Sequence, residues 1–161
     1  MCMTRRFIMI LLSSSFFMSL AEASAQAKTE KEINCLALNI YYEARGEPLN
    51  GQFAVAAVTM NRVKSYKYPN TVCGVVWQRR QFSWTHDGKS DRPTEKRAWH
   101  KAQSLAKLVY SKYLSFQAKN NGAWDITLGA LHYYSSSIDT PYWAKEKDVS
   151  ARIGRHKFVL M

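Results

Sequence analysis

The chain is predicted to fold as a single α+β domain, helices first and a small antiparallel sheet last. Two observations carry that expectation. Apolar residues recur at three- and four-residue steps up to about Val109, and the step changes to two near Gly129. Close to the end, Val149–Ile153 and His156–Leu160 flank Gly154-Arg155 as the arms of a hairpin flank its turn. At 161 residues and 47% hydrophobic content, one domain with a sizeable core is expected.

The N-terminal stretch is read apart from that domain. Arg5-Arg6 precede Phe7 to Leu20, apolar except for serines, and Ala23-Ser24-Ala25 and Ala25-Gln26-Ala27 both fit a small-residue cleavage site. The run is shorter than the roughly 20 residues of a comfortable membrane span. Residues 1–27 are therefore expected to be a cleaved export signal, with a retained signal anchor as the alternative. The domain is then residues 28–161, exported to the periplasm or beyond, and related to the membrane only through the signal.

Composition narrows the partners. There are 23 Lys and Arg against 12 Asp and Glu, a net charge of +11, and removing Arg5, Arg6 and Glu22 takes away only one unit. Such a balance favours an anionic partner, and export turns the choice toward wall polymer and away from nucleic acid. Charge that serves only solubility is the plainer alternative. Of three cysteines, Cys2 leaves with the signal. Cys35 and Cys73 remain as an even pair in an oxidising compartment, so a disulfide between them is expected. Nothing around either one looks like a thiol-activating motif.

The first helix of the domain is expected from about Glu32 to Arg45, because Ile33, Leu36, Ala37, Ile40 and Ala44 share one face. Gly46 stops it, and Pro48 keeps Glu47 out of helical geometry. Asn50 is placed to cap a second helix, with Phe53, Ala56, Ala57, Met60 and Val63 or Lys64 on its inner side. Tyr68-Pro69-Asn70 is a turn. Residues 71–78 are a short apolar piece whose type stays open. A polar stretch follows from Arg79 to Pro93, and loops of that length are usually functional or mobile. Its Phe82 and Trp84 either build a sugar-stacking wall or plug the core.

A third helix is expected to begin near Asp91–Pro93, with Ala98, Ala102, Leu105, Ala106 and Val109 inward. Lys96, Arg97, His100, Lys101 and Lys107 then form a solvated basic face. Beyond Asn120-Asn121-Gly122, the alternation over Gly129–Tyr134 reads as a strand. Ser135 to Pro141 is a loop toward Trp143, and the hairpin closes the chain.

One side chain stands out chemically. Glu43 lies three residues after Ile40 and seven after Leu36, so it projects from the apolar face just before the helix ends. A carboxyl held there loses water, which disfavours its charged form and raises its pKa toward what a general acid needs. Protonating a glycosidic oxygen requires such a group. An ordinary glutamate paired with Arg45 or Lys31 is the bland alternative. Glu47, past the helix end, is a weaker candidate, placed to orient Arg45 or a substrate hydroxyl. Asp87, Asp91, Asp125 and Asp139 are available as a second carboxylate, and spacing selects none. His86, His100, His132 and His156 share no short metal-binding motif, and no glycine-rich phosphate loop or serine elbow is present. Neither a metal nor a cofactor is expected.

The run from Cys35 through Tyr41-Tyr42-Glu43-Ala44-Arg45-Gly46-Glu47 resembles the opening motif of the SleB/CwlJ-type cell-wall hydrolases. The likeness continues through Gly51–Ala56, Val58–Val63, Tyr68–Val76 and Gln81-Phe82-Ser83. It ends with Gly129–Tyr134, Pro141–Ala144 and Ile153–Phe158, covering nearly all of residues 33–159 in order. The resemblance implies a lysozyme-like catalytic domain that cleaves peptidoglycan glycan strands, with Glu43 as the catalytic acid. Some members of that family are lytic transglycosylases, which cut between N-acetylmuramic acid and N-acetylglucosamine and leave a 1,6-anhydro end. That chemistry needs no second carboxylate.

Within the matched motifs, Asn61, Gln81, Ser83, His132 and Tyr133 are expected substrate contacts because their side chains hydrogen-bond. Phe82 and Trp143 are expected to offer stacking surface. The family's spore-germination members usually carry a separate wall-binding module, so a spore role does not follow for this chain. Wall remodelling and phage-type lysis both fit, and a monomer is expected. Two rivals remain: a peptidoglycan amidase or peptidase using Cys35 or Cys73 with His132 or His156, and a non-catalytic basic module that coats wall polymer.

Overall fold

The computed structural model describes the backbone of residues 5–119 and 124–161, and side chains over 21–118 and 124–161. Contacts divide the chain into two units, Met1–Lys31 and Glu32–Met161. Helix α1, Arg5–Ala44, begins long before the apolar periodicity does. Residues 21–31 are mostly Ala, Glu, Gln and Lys, which sustain a helix through intrinsic propensity without a buried face. Periodicity reports burial, so it finds only the later turns. Among the described residues no helix is long and apolar enough to cross a membrane.

The second unit continues with α2 (Leu49–Lys64), α3 (Val72–Val76), a 3-10 turn (Ser83–His86) and α4 (Lys96–Lys119). Strand β1 (His132–Ser135), a 3-10 turn (Tyr142–Ala144), β2 (Val149–Ile153) and β3 (His156–Val159) complete it. Helix α2 runs through the centre because two of its faces are apolar. Ala56 and Met60 join Leu36, Ile40, Val76, Leu105 and Val109 in the main core. Ala54 and Val58 instead meet Ala130 and Phe158 on the sheet side. Alanines at 54, 56 and 57 let both layers approach closely. Asn50 lies inside α2 and does not cap it, since Pro48 holds the N-cap position. Proline fits there because it has no N–H to leave unpaired. Phe53 and Val63 are only half-buried.

The short piece of open type is helical. Thr71 Oγ1 accepts from Gly74 N–H at 3.0 Å, and Glu32 Oε2 accepts from the amides of Val72 and Cys73. Those oxygens satisfy N–H groups that the start of a helix leaves without partners. The expected Cys35–Cys73 disulfide is present, with Cα atoms 5.2 Å apart, and fastens α1 to α3. Both sulfurs are thereby bonded, so neither is a nucleophilic thiol and the amidase alternative loses its nucleophile. Phe82 and Trp84 are 4% and 7% exposed, and Trp84 stacks on Tyr42 at 4.6 Å. Both rings plug the core.

Helix α4 starts at Lys96, a few residues later than expected. Tyr41 Oη accepts from the amides of Thr94 and Glu95 at 3.2 and 3.1 Å and so sets where the helix can begin. Its inner residues Ala102, Leu105, Ala106 and Val109 are buried as the spacing implies. The Asn120-Asn121-Gly122 turn lies outside the described residues. The sheet is antiparallel in the order β1-β3-β2, so the last strand is the central one. Tyr133 pairs with Phe158, and Gly154 turns the hairpin at φ +59°. Strand β1 opens at His132, not Gly129, because Leu128 and Gly129 take positive φ in a turn. Asp125 holds that turn, accepting from the amides of Thr127 and Gly129 at 2.8 and 2.7 Å.

Candidate active site

Glu43 occupies the last full turn of α1 and faces β1, with α2 beside both. The reason is sequential: the apolar face of α1 packs on α2, and Glu43 continues that face one step beyond Ile40, where the core ends. Tyr133 Oη donates to Glu43 Oε2 at 2.9 Å from the middle of β1. Burial raises the Glu43 carboxyl above its ordinary value, and the Tyr133 hydrogen bond and the Arg62 charge pull only partway back. Burial also pushes the Tyr133 phenol well up, aided by the neighbouring Glu43 charge, so Tyr133 keeps its proton and stays a donor.

Arg62 also lines the cleft, although helix periodicity does not mark it. It sits on the buried side of α2 at 3% exposure, and its Nε donates to the Leu131 carbonyl at 2.7 Å. The Gln81 amide, oriented by its hydrogen-bond partners, turns its oxygen to both terminal guanidinium nitrogens at 3.0 and 3.2 Å. The rings of Tyr68 and Phe82 lie 5.5 and 5.4 Å from the guanidinium carbon. A basic residue inside the small apolar run of α2 was the available signal. A cation in that run needs partners, and here it finds a carbonyl, an amide and two rings.

His132 continues the wall. Its Nε2 lies 2.9 Å from Tyr68 Oη, and its ring is 5.4 Å from that of Trp143. Burial and then the charges of Arg62 and Lys67 lower it to about 4, so it is neutral near pH 7. Arg62, His132, Tyr133 and Trp143, together with Arg80, Gln81, Phe82 and Met161, line a cavity of about 450 Å³ with Glu43 in its wall. Glu43 is the one carboxylate side chain among those described residues.

Six of the expected site residues therefore meet: Glu43, Gln81, Phe82, His132, Tyr133 and Trp143. Phe82 shows little surface there, whereas Trp143 is 40% exposed. Three do not join them. Asn61 faces away from the cavity, and its Nδ2 donates to Asp125 Oδ2 at 2.7 Å and to the Ala130 carbonyl at 3.1 Å. It brackets the turn before β1, where fixed partners satisfy its half-buried amide. Ser83 opens the first 3-10 turn and is exposed. Glu47 is buried under the hairpin: Arg155 donates to it through N–H at 2.8 Å and Nε at 2.6 Å. Burial would raise the Glu47 carboxyl, but those two bonds and the nearby His156 and Arg155 charges outweigh it and hold it below its ordinary value. Asp125 is spent on its own turn, and Asp87 lies beside Lys89.

A helix-borne carboxyl at the edge of a cleft, backed by a small antiparallel sheet, defines a domain of the lysozyme-like class. Solved structures bear out that class. The catalytic domain of the Bacillus cereus SleB protein superposes with a TM-score of 0.59 and 32% identity, over 80% of this chain and 89% of that one. The catalytic domain of the germination-specific lytic transglycosylase SleB from Bacillus anthracis gives 0.60 and 35%, over 80% and 93%.

The chain belongs to the Cell Wall Hydrolase family, whose profile matches residues 46–159. That span opens three residues after Glu43. Among full-length relatives, the spore cortex-lytic enzyme of Bacillus cereus is 35% identical over 130 residues, 81% of this chain and 44% of that one. Its counterpart in Bacillus subtilis is 32% identical over 81% of this chain and 38% of the other. The chain thus spans less than half the length of the curated relatives it matches.

Proposed function

We propose that the chain degrades peptidoglycan as a lytic transglycosylase, cutting glycan strands between N-acetylmuramic acid and N-acetylglucosamine. One observation carries the reading: Glu43, desolvated and hydrogen-bonded by Tyr133, is the single carboxylate side chain among the described residues lining its cavity. The protonated Glu43 gives its proton to the glycosidic oxygen as the bond to muramoyl C1 breaks, releasing N-acetylglucosamine with a free 4-hydroxyl. The Glu43 carboxylate then takes the proton of the muramoyl 6-hydroxyl while that oxygen bonds to C1. The product is a 1,6-anhydro end, no water is consumed, and Glu43 is again protonated.

The surroundings suit that cycle. Burial keeps Glu43 able to hold a proton at the start, and Tyr133 with the Arg62 charge stabilises the carboxylate that exists between the two transfers. Trp143 and neutral His132 supply stacking and hydrogen-bonding surface for the sugars. A muramidase outcome would call on a carboxylate that activates water, and no second carboxylate side chain lines the cavity among the described residues. The basic leader and apolar run support export to the wall, and the positive charge suits its anionic polymers.

The test is digestion of purified peptidoglycan followed by mass spectrometry of the released muropeptides. Anhydro-muramoyl ends are expected from the wild type, and none from a folded Glu43→Gln variant. Reducing muramic ends would replace the transglycosylase by a muramidase, and wild-type release by Glu43→Gln would remove Glu43 from the reaction.

A further inference from the structure

Arg80 has a backbone that a solvated loop arginine does not need. It adopts φ +64°, a left-handed conformation that residues with a side chain seldom take. A chain of hydrogen bonds maintains it. The Arg80 amide donates to His86 Nε2 at 3.1 Å, His86 Nδ1 lies 2.9 Å from Thr85 Oγ1, and Thr85 Oγ1 donates to the Phe82 carbonyl at 2.9 Å. An accepting Nε2 places the ring proton on Nδ1, which donates to Thr85, so the arrangement is self-consistent. Unusual backbone held in this way is found at sites where it positions something.

What it positions lies at the cleft. Arg80 lines the same cavity as Glu43, beside Gln81, which grips Arg62. The two arginines are in opposite states. Arg62 is buried, with its nitrogens engaged by Leu131 and Gln81, whereas Arg80 is exposed and its side chain has no hydrogen bond or ion pair among the described residues. A guanidinium carries five donors in a planar fork that matches a carboxylate through two parallel bonds, and neutral sugar hydroxyls do not use that fork fully.

We propose that Arg80 is the specificity-determining residue of the cleft, reading a carboxylate borne by the muramoyl unit. This rests on the glycan-strand reading above and extends it from the bond cut to the substituent recognised. That carboxylate has two sources of the same chemistry, the lactyl group of muramic acid where no peptide is attached, and the stem peptide's own carboxylates where the lactyl carboxyl is taken up in the amide that joins it.

The experiment compares three substrates: strands with stem peptides, stripped strands with free lactyl carboxylates, and stripped strands whose lactyl carboxylates are converted to neutral methylamides. The variants are Arg80→Gly, which relieves the backbone and should fold at least as well, and Arg80→Lys, which keeps the charge without the fork. For Arg80→Gly the ratio of kcat/KM on charged to neutral strands is expected to fall about tenfold, mainly through KM, with Arg80→Lys between it and wild type. A fall with peptide-bearing strands alone assigns the stem peptide, a fall with stripped acidic strands alone assigns the lactyl group, and a fall with both means that the fork reads a carboxylate from either source. An unchanged ratio overturns the proposal, as does an equal loss on neutral strands. Sedimentation with each strand in the Glu43→Gln background reads Arg80 by binding alone. If the wild type releases nothing from any substrate, the transglycosylase reading fails, while weaker pelleting of Arg80→Gly with acidic strands only still supports the role of Arg80 and equal pelleting overturns it.

Discussion

Glu43 and Glu47 stand one helical turn apart in number and are perturbed in opposite directions. Glu43 is desolvated with one side-chain donor, so its carboxyl is raised, whereas Glu47 receives two bonds from Arg155 and is lowered. Two predictions follow from the first of these. Replacing Tyr133 with Phe removes the donor that favours the Glu43 carboxylate, so the Glu43 pKa rises further. In the proposed cycle activity needs the protonated acid and declines as pH rises through that pKa, so the declining limb of the Tyr133→Phe pH–rate profile should move to higher pH. The kcat should drop roughly ten- to a hundredfold, as for a lost bond to a charged group. An unmoved limb would show that Glu43 does not titrate in that profile. For stability, a raised carboxyl favours the fold while protonated, and that contribution is lost as pH rises through its folded value. Glu43→Gln is therefore expected to melt no lower, and preferably higher, than wild type at pH 7, with the difference closing below the ordinary value of 4.5. Thermal melts at several pH values check this.

The hairpin of β2 and β3 is secured through its turn by Glu47. The carboxylate is almost fully buried, its side chain 3% exposed, while the Arg155 side chain is 70% exposed, so much of the ion pair is screened and the backbone N–H bond matters more. Gly154 must stay small: at φ +59° a side chain would be strained, and a Cβ there would run into Glu47 Oε2. Glu47→Gln should lose about 1–3 kcal/mol at pH 7 by weakening a buried acceptor. Because the native Glu47 carboxyl is lowered, its stabilisation exists above its unfolded value and disappears as pH falls through its folded one. The gap between wild type and Glu47→Gln in urea titrations should therefore close in acid. Gly154→Ala should be destabilised at every pH. Tyr133 lies on the strand paired with β3, so loosening the hairpin should also disturb the bond to Glu43.

Helix α2 makes the main core and the sheet-side cluster one body, and the Cys35–Cys73 disulfide closes the helical side of it across 38 residues. Closing a loop of that length stabilises by about 4 kcal/mol through the entropy it removes from the unfolded chain. A Cys35→Ser, Cys73→Ser double variant should lose most of that in denaturant titrations, and reductant should produce the same loss in wild type only. Glu32 still joins α1 to α3 when the disulfide is absent, so the pH–rate profile of the folded fraction should keep its shape. A changed profile would mean that the bond also positions the residues at the cleft.

While the type of the Val72–Val76 piece stayed open, patterning alone determined three of the four helices and most of their inner faces, the hairpin and the singling out of Glu43. Each of these follows from periodicity, or from turn chemistry, within a few residues of chain. It did not determine which polar groups would meet. Tyr133 reaches Glu43 across 90 residues, and Arg62 joins Leu131 across 69, separations that no local pattern encodes. Asn61 and Glu47 carry hydrogen-bonding side chains in matched motifs, yet the tertiary structure spends both on holding the chain, one at the turn before β1 and one at the hairpin. A motif records that a side chain is needed without recording for what. The α1 face explains why Glu43 is dry. Only the packing of β1 and α2 around it decides that a phenol and a guanidinium stand beside its carboxyl.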